Sequence, residues 1–390
     1  MTDRAEPYLL REFRVTEGAN GHRVSAILDG REVWFESPGF EAPQEGGNAF
    51  LAVAFLAAMA TGRNLDMSDL PPVSATLLDA LPTLDAIWTQ WNPCLSSIEV
   101  RAQRATTHSG PGGGESLFFS GGIDATHSAL EGTPGQQLVF VSGFDHAIDR
   151  QSLPATTARL ERLSQRLGST LTMVETNWVE WRRECRLSGA LMHGGCLAAV
   201  AHLLGSGHVT ISSSNSFRRL TPWGTHVLVD PLWSSERTTI RHWGNHCSRA
   251  EKVARVVQAT ALHADLWVCH ARPVGNCGRC AKCARTRLAF HLLGNTLPIE
   301  GSMAHRDPVE AYLPHLKAGS EHVYIAEMIE LARAGGHADT RRVLERGARR
   351  LARRHVLRDL RNAVLTRSAQ RRMVRTDLQP WGHGPAPRSV

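Results

Sequence analysis

The sequence predicts an α/β fold: a parallel, doubly wound sheet, with an α+β segment before it and a helical region after it. Three observations carry that prediction. Short apolar runs recur through the middle of the chain, "SLFFS" at 116–120, "QLVFVSGFD" at 137–145, "LTMVETN" at 171–177 and "HVTISSS" at 208–214. Helical patterns lie between them, among them "LPATTARLERLSQRLG" and "GGCLAAVAHLLGSG". Strand and helix in alternation favour parallel pairing with helices on both faces. Finally, Ser120-Gly121-Gly122 joins the first run to a helix-capable segment, the junction where doubly wound sheets receive ligands.

Residues 1–107 read as an α+β extension. Alternating segments there are broken at Asn20-Gly21 and Asp29-Gly30, both hairpin signals. The longest apolar run, "AFLAVAFLAAMA" at 49–60, is too short to cross a bilayer and reads as a buried helix. A strand is expected in "SSIEVRA", and the Gly-rich "HSGPGGGES" at 108–116 is a loop or linker leading into the 115–295 domain. Residues 296–376 form a helical, Arg-rich C-terminal region, followed by a tail at 377–390.

The chain carries 44 basic and 37 acidic residues, a net charge of +7, yet only three lysines: Lys252, Lys282 and Lys317. Much of the arginine falls in 341–376, where Leu344, Ala348, Leu351, His355 and Leu360 mark one apolar helical face. Such a stretch is either a phosphate-binding surface for nucleic acid or an acidic partner, or a solvated helix; charge alone does not separate the two. Eight cysteines without a signal peptide point to thiols or metal rather than disulfides, and to a soluble cytoplasmic protein with no membrane segment.

The glycine turn has a direct physical reading. A glycine-rich entry into a helix leaves backbone N–H groups pointing outward at the positive end of the helix dipole, a site for anions. Gly121 and Gly122 permit backbone angles and approach distances that a Cβ forbids, and Ser120 adds a hydroxyl. Asp124 repels a bare phosphate. It fits if Mg²⁺ lies between the two, or if the carboxylate orients the loop.

"FFSGGIDATHSAL", 118–130, resembles the pyrophosphate loop of the ATP pyrophosphatases, the adenine nucleotide alpha hydrolase-like (HUP) superfamily. Its members cleave ATP between the α- and β-phosphates and adenylate an oxygen of the substrate. The resemblance implies ATP and Mg²⁺ as cofactors, with pyrophosphate and its Mg²⁺ held by Ser120, Gly121, Gly122 and Asp124, and a further hydroxyl from Thr126. It also implies that Ser142, in the turn after the second strand, lies near the adenine. Ala125 stands where the family pattern has a serine.

"CHARPVGNCGRCAKCARTRLAF", 269–290, sets Cys269, Cys277, Cys280 and Cys283 within 15 residues, enough thiolates to close a tetrahedral site. Zinc filled by four protein ligands would be structural, and four thiolates also suit an iron–sulfur cluster. The pyrophosphate loop and Cys₄ knuckle together resemble 7-cyano-7-deazaguanine synthase, over about 115–295. The order of a Lys252-bearing helix, Trp267, Cys269 and the final Cys-x-x-Thr-Arg matches that family, while Arg285 and Arg287 each fall one place from its single arginine. The resemblance assigns Lys252 to the phosphates. A compact ammonium there also suits a chain that otherwise uses arginine.

The segment 212–246, "SSSNSFRRLTPWGTHVLVDPLWSSERTTIRHWGNH", is long for a connection and reads as a substrate loop. Arg218 or Arg219 would pair with a carboxylate, Trp223 or Trp233 would stack on a planar group, and His226 joins them as a substrate residue. The expected function is ATP-dependent adenylation of a carboxylate or amide, followed by attack of ammonia or an amine. The acceptor would be a deazapurine, another small acid or a partner protein, and a homodimer is compatible with the resemblance. A sulfurtransferase using Cys185, Cys196 or Cys247, or a nucleotide-binding module without turnover, are the alternatives.

Overall fold

A computed structural model describes residues 6–364, apart from 42–44, 107–109, 270, 273–274, 300–304 and 318–320. The end of the Arg-rich stretch, 365–376, and the 377–390 tail lie outside the described residues.

The N-terminal segment begins as a three-stranded meander of β1 (Tyr8–Gly18), β2 (Gly21–Leu28) and β3 (Arg31–Ser37). Leu28 pairs with Arg31 across the Asp29-Gly30 turn, whose residues both take positive φ, 47° and 81°. That is the twist a two-residue hairpin needs. Helix α1 (Gly46–Thr61) follows, buried on nearly every side as the apolar run requires. Next come β4 (Leu65–Asp66), α2 (Ala75–Trp91) with Ser74 capping the N–H of Leu77, and the short β5 (Val100–Arg101).

The middle of the chain alternates as its pattern predicts: β6 (Glu115–Phe118), α3 (Ile123–Glu131), β7 (Gln137–Ser142), α4 (Leu153–Arg166), β8 (Thr170–Thr176), α5 (Trp178–Glu184), α6 (Gly189–Leu204) and β9 (His208–Ser212). A fifth strand, β10 (Thr239–Trp243), lies inside the segment read from sequence as loop. It escaped notice because only Ile240 of its five residues is fully buried, so no apolar run announces it.

All ten strands form one mostly parallel sheet in the order β10-β9-β6-β7-β8-β3-β2-β1-β4-β5. From β10 to β8 every pairing is parallel. The N-terminal meander extends the same sheet through β3, antiparallel to β8 at Phe35↔Thr176 and Glu36↔Glu175. The period of two along β6 and β7 separates two cores. Phe118, Val139 and Val141 face a cluster with α1 and α6, while Leu117, Phe119 and Leu138 face one with Leu160 and Leu163 of α4. Gly195 of α6 lets α1 approach its backbone: a Cβ there would stand 2.2 Å from the Ala52 carbonyl oxygen.

The remaining helices, α7 (Arg249–Gln258), α8 (Ala281–Leu292), α9 (Pro308–Tyr312), α10 (Glu321–Ala334) and α11 (Ala338–Val364), enclose a third cluster. Leu344 and Leu351 of the expected apolar face are buried there and Ala348 packs against them. The side chains of His355 and Leu360 lie outside the described residues. Arg342, Arg346, Arg349, Arg350 and Arg353 are exposed on α11. Among the described residues no helix is long and apolar enough to cross a membrane.

Candidate functional site

Strands β6 and β9 lie side by side, but the chain runs from β6 out through β7 and β8 on one side and from β9 out to β10 on the other. Such a switch point opens a crevice at the carboxyl ends of the strands. Ser120, Gly121 and Gly122 stand there. Gly121 has φ +70°, a left-handed turn that swings the chain into α3. Gly122 is the N-cap of α3 and no side chain caps that end, so its first N–H groups are left to whatever binds. Ser120 is exposed beside them.

Asp124, in the first turn of α3, is the meeting point of the site. Arg249 Nη1 bonds its Oδ2, Lys252 Nζ stands 3.6 Å from Oδ1, and Ser214 Oγ donates to Oδ2 at 3.4 Å. Burial alone would raise this carboxyl, but Arg249 and Lys252 outweigh it and hold Asp124 below the usual range. Lys252 is 1% exposed and donates to the Ser213 carbonyl at 2.5 Å. Burial pulls its pKa down, against the opposing charge of Asp124.

Arg249 was not singled out from the sequence, although a signal exists. Ser248 and Glu251 form a complete capping box that starts α7. Positions 249 and 252, three apart, then share one helix face. Thr126 is fully buried and among the described residues its hydroxyl has no hydrogen-bond partner, while Ala125 packs into the apolar cluster beneath β6. Ser142 ends the neighbouring strand β7, buried and in register with Glu175.

The four cysteine sulfurs all lie within 4.8 Å of one another. Cys269–Cys280 and Cys277–Cys283 are separated by 3.9 and 4.0 Å, close to the edge of about 3.8 Å of a tetrahedron with metal–sulfur bonds of ~2.3 Å. Backbone N–H groups of Ala271, Cys280 and Cys283 point at Cys269, Cys277 and Cys280 respectively, a knuckle that stabilises thiolates. The donor set fits a divalent metal such as zinc. It also supports the glycine loop, because Trp267 N–H donates to the Gly121 carbonyl at 2.8 Å and the Val268 N–H bonds Asn276 at 3.0 Å.

The substrate residues divide. Trp223 and His226 line a small cleft with Ser213, Ser214, Asn215 and His242. Arg218 is exposed on the turn Phe217–Arg219 and is not part of that lining; its charge acts on Glu251. His226 is buried against Trp91, with ring centroids 4.8 Å apart, and burial pushes its pKa down to about 4. Trp233 is buried edge-on to Phe55, with centroids 6.0 Å apart. The serines at 213 and 214 belong both to this cleft and to the Asp124–Lys252 cluster, so the two sites share a wall.

Set against family models, curated proteins and solved structures, the chain matches none of them.

Proposed function

We propose that the protein is an ATP pyrophosphatase of the 7-cyano-7-deazaguanine synthase kind, adenylating a carboxylate or amide that ammonia or an amine then attacks. The observation that carries this reading is the convergence of Arg249 and the buried Lys252 on Asp124, beside an uncapped helix N-terminus, at the switch point of a parallel sheet. That arrangement suits a polyphosphate: open N–H groups and two cations receive the charge, and the carboxylate receives the metal that accompanies it. Mg²⁺, when bound, would neutralise charge building on the departing pyrophosphate.

This chain's own residues do the rest. The α3 N–H groups and Ser120 bind phosphate oxygens, and in the same turn the Thr126 hydroxyl has no hydrogen-bond partner among the described residues while Asp124 Oδ1 faces only the Lys252 ammonium. Lys252 and Arg249 would pass from Asp124 to the phosphates as the metal takes their place, an exchange of one set of opposite charges for another. Zinc in the Cys₄ cluster would have no open coordination position and would hold the segment 266–269 under the glycine loop.

The sulfurtransferase alternative finds little support among the free thiols. Burial raises the pKa of Cys185, Cys196 and Cys247 alike, opposite to the shift a persulfide carrier needs. The acceptor is a small planar acid such as a deazapurine carboxylate, or a carboxylate or amide of a partner protein.

Nucleotide product analysis tests the reading. Protein with Mg-ATP, ammonia and 7-carboxy-7-deazaguanine should release AMP and pyrophosphate and convert the acid. AMP without conversion moves the search to another acceptor, ADP overturns the pyrophosphate-loop reading, and bound ATP without turnover favours the binding module.

A further inference from the structure

His242 and Asp230 form a pair that the pyrophosphate loop does not use. Asp230 is wholly buried at the start of the turn Asp230–Trp233. Its Oδ1 accepts the backbone N–H of His226 at 3.1 Å, and its Oδ2 lies 2.6 Å from Nδ1 of His242. Among the described residues no arginine or lysine bridges this carboxylate, which leaves the imidazole as the ring it holds. A buried carboxylate on Nδ1–H fixes both the tautomer and the tilt of a ring, leaving Nε2 with its lone pair.

The ring belongs to the cleft. His242 lines it together with Ser213 and Ser214, and among the described residues nothing bonds Nε2, which lies across the ring from Asp230. The other histidines nearby are committed. His226 accepts the N–H of Leu228 on Nδ1 at 3.1 Å. His193 uses both ring nitrogens, on the Gly189 carbonyl at 3.0 Å and the Thr225 hydroxyl at 3.1 Å. Strand β10 delivers His242 to this place, since its register sets His242 beside Ile211 of β9, one residue before the strand end that leads into Ser213 and Ser214.

We infer that His242 is the general base of the transfer half-reaction and Asp230 its positioning residue. This role rests on the adenylation reading above. In the step, the nitrogen of ammonia or an amine attacks the adenylated carbonyl carbon and the C–N bond forms. The bond from that carbon to the AMP oxygen breaks, and AMP leaves with the electron pair. The proton released from nitrogen passes to Nε2 of His242, then to solvent. Adenylation of a carboxylate needs no base at this position, because its nucleophile is already an oxygen anion.

The test separates the two half-reactions. Wild type, His242→Gln and Asp230→Asn are compared for ATP–pyrophosphate exchange with 7-carboxy-7-deazaguanine, and for transfer to ammonia or to hydroxylamine, whose less basic nitrogen gives a more acidic adduct that loses its proton to water without help from a base. Transfer to ammonia should fall about 10²- to 10³-fold more than exchange does in His242→Gln, and by a smaller margin in Asp230→Asn. Transfer to hydroxylamine should fall less than about tenfold. Equal losses with both nucleophiles mark a merely structural pair and overturn the inference, as does unchanged transfer to ammonia. Wild-type protein that exchanges no pyrophosphate overturns the adenylation reading and this role with it.

Discussion

Lys252 Nζ, on a side chain only 1% exposed, stands 3.6 Å from Asp124 Oδ1 and donates to the Ser213 carbonyl. One buried ammonium thus ties the glycine loop, helix α7 and the end of strand β9 together. Arg249 completes the pair of cations on the carboxylate. Replacing Lys252 with methionine keeps most of the unbranched side chain and removes the charge. AMP formation should fall about 10²-fold or more, as for the loss of one preorganised donor to developing charge. Circular dichroism should show the fold retained, and steady-state AMP release would read the loss.

The Thr126 hydroxyl offers a sharper separation of binding from stability. It is buried without a partner, so the folded protein gains nothing from it. Thr126→Val should leave the melting temperature unchanged or raise it. Affinity for Mg-ATP should weaken by about fivefold, the worth of one hydrogen bond of ~1 kcal/mol. Scanning calorimetry reads the first and calorimetric titration with a non-hydrolysable analogue the second; a stability loss with unchanged affinity would refute the assignment.

The cysteine knuckle should bind one zinc per chain, measurable by elemental analysis. Stripping the metal, or Cys283→Ser, should lower the melting temperature substantially, because closing four thiolates on a metal is itself folding free energy. It should also weaken nucleotide binding, since Trp267 holds the Gly121 carbonyl from the same segment. Loss of metal with unaltered nucleotide affinity would separate the two sites.

Acid should destabilise the protein well before its carboxylates titrate. His202 is fully buried on α6, bonded to the Trp233 carbonyl at 2.9 Å, and burial pushes its pKa down to about 4. The unfolded chain takes the proton near pH 6.5, so the stabilisation is full above that value and is lost as pH falls toward 4. Roughly 2 kcal/mol should disappear between pH 7 and 5 from His202 alone, with His226 adding in the same direction. Urea unfolding at the two pH values measures it, and His202→Gln should flatten the slope.

The linear order of the chain carried a large part of this picture. Short apolar runs between helical patterns marked β6 to β9, the Asp29-Gly30 dipeptide marked a hairpin, and the apolar run at 49–60 marked a buried helix; each is a local consequence of burial and backbone geometry. The cysteine spacing was equally legible, because a metal knuckle is built from near neighbours whose turns are set by the residues between them. What the chain could not state in one dimension is who meets whom. The pairing of β3 with β8, which makes one sheet of the N-terminal meander and the parallel core, depends on strand edges far apart in sequence. So does the arrival of Arg249 at Asp124, and of His242 at Asp230 on a strand too short and too polar to reveal itself. Local patterns are written by neighbours; the site is written by the switch point between β6 and β9, where charges distant in sequence are drawn into one low-dielectric crevice and must neutralise one another.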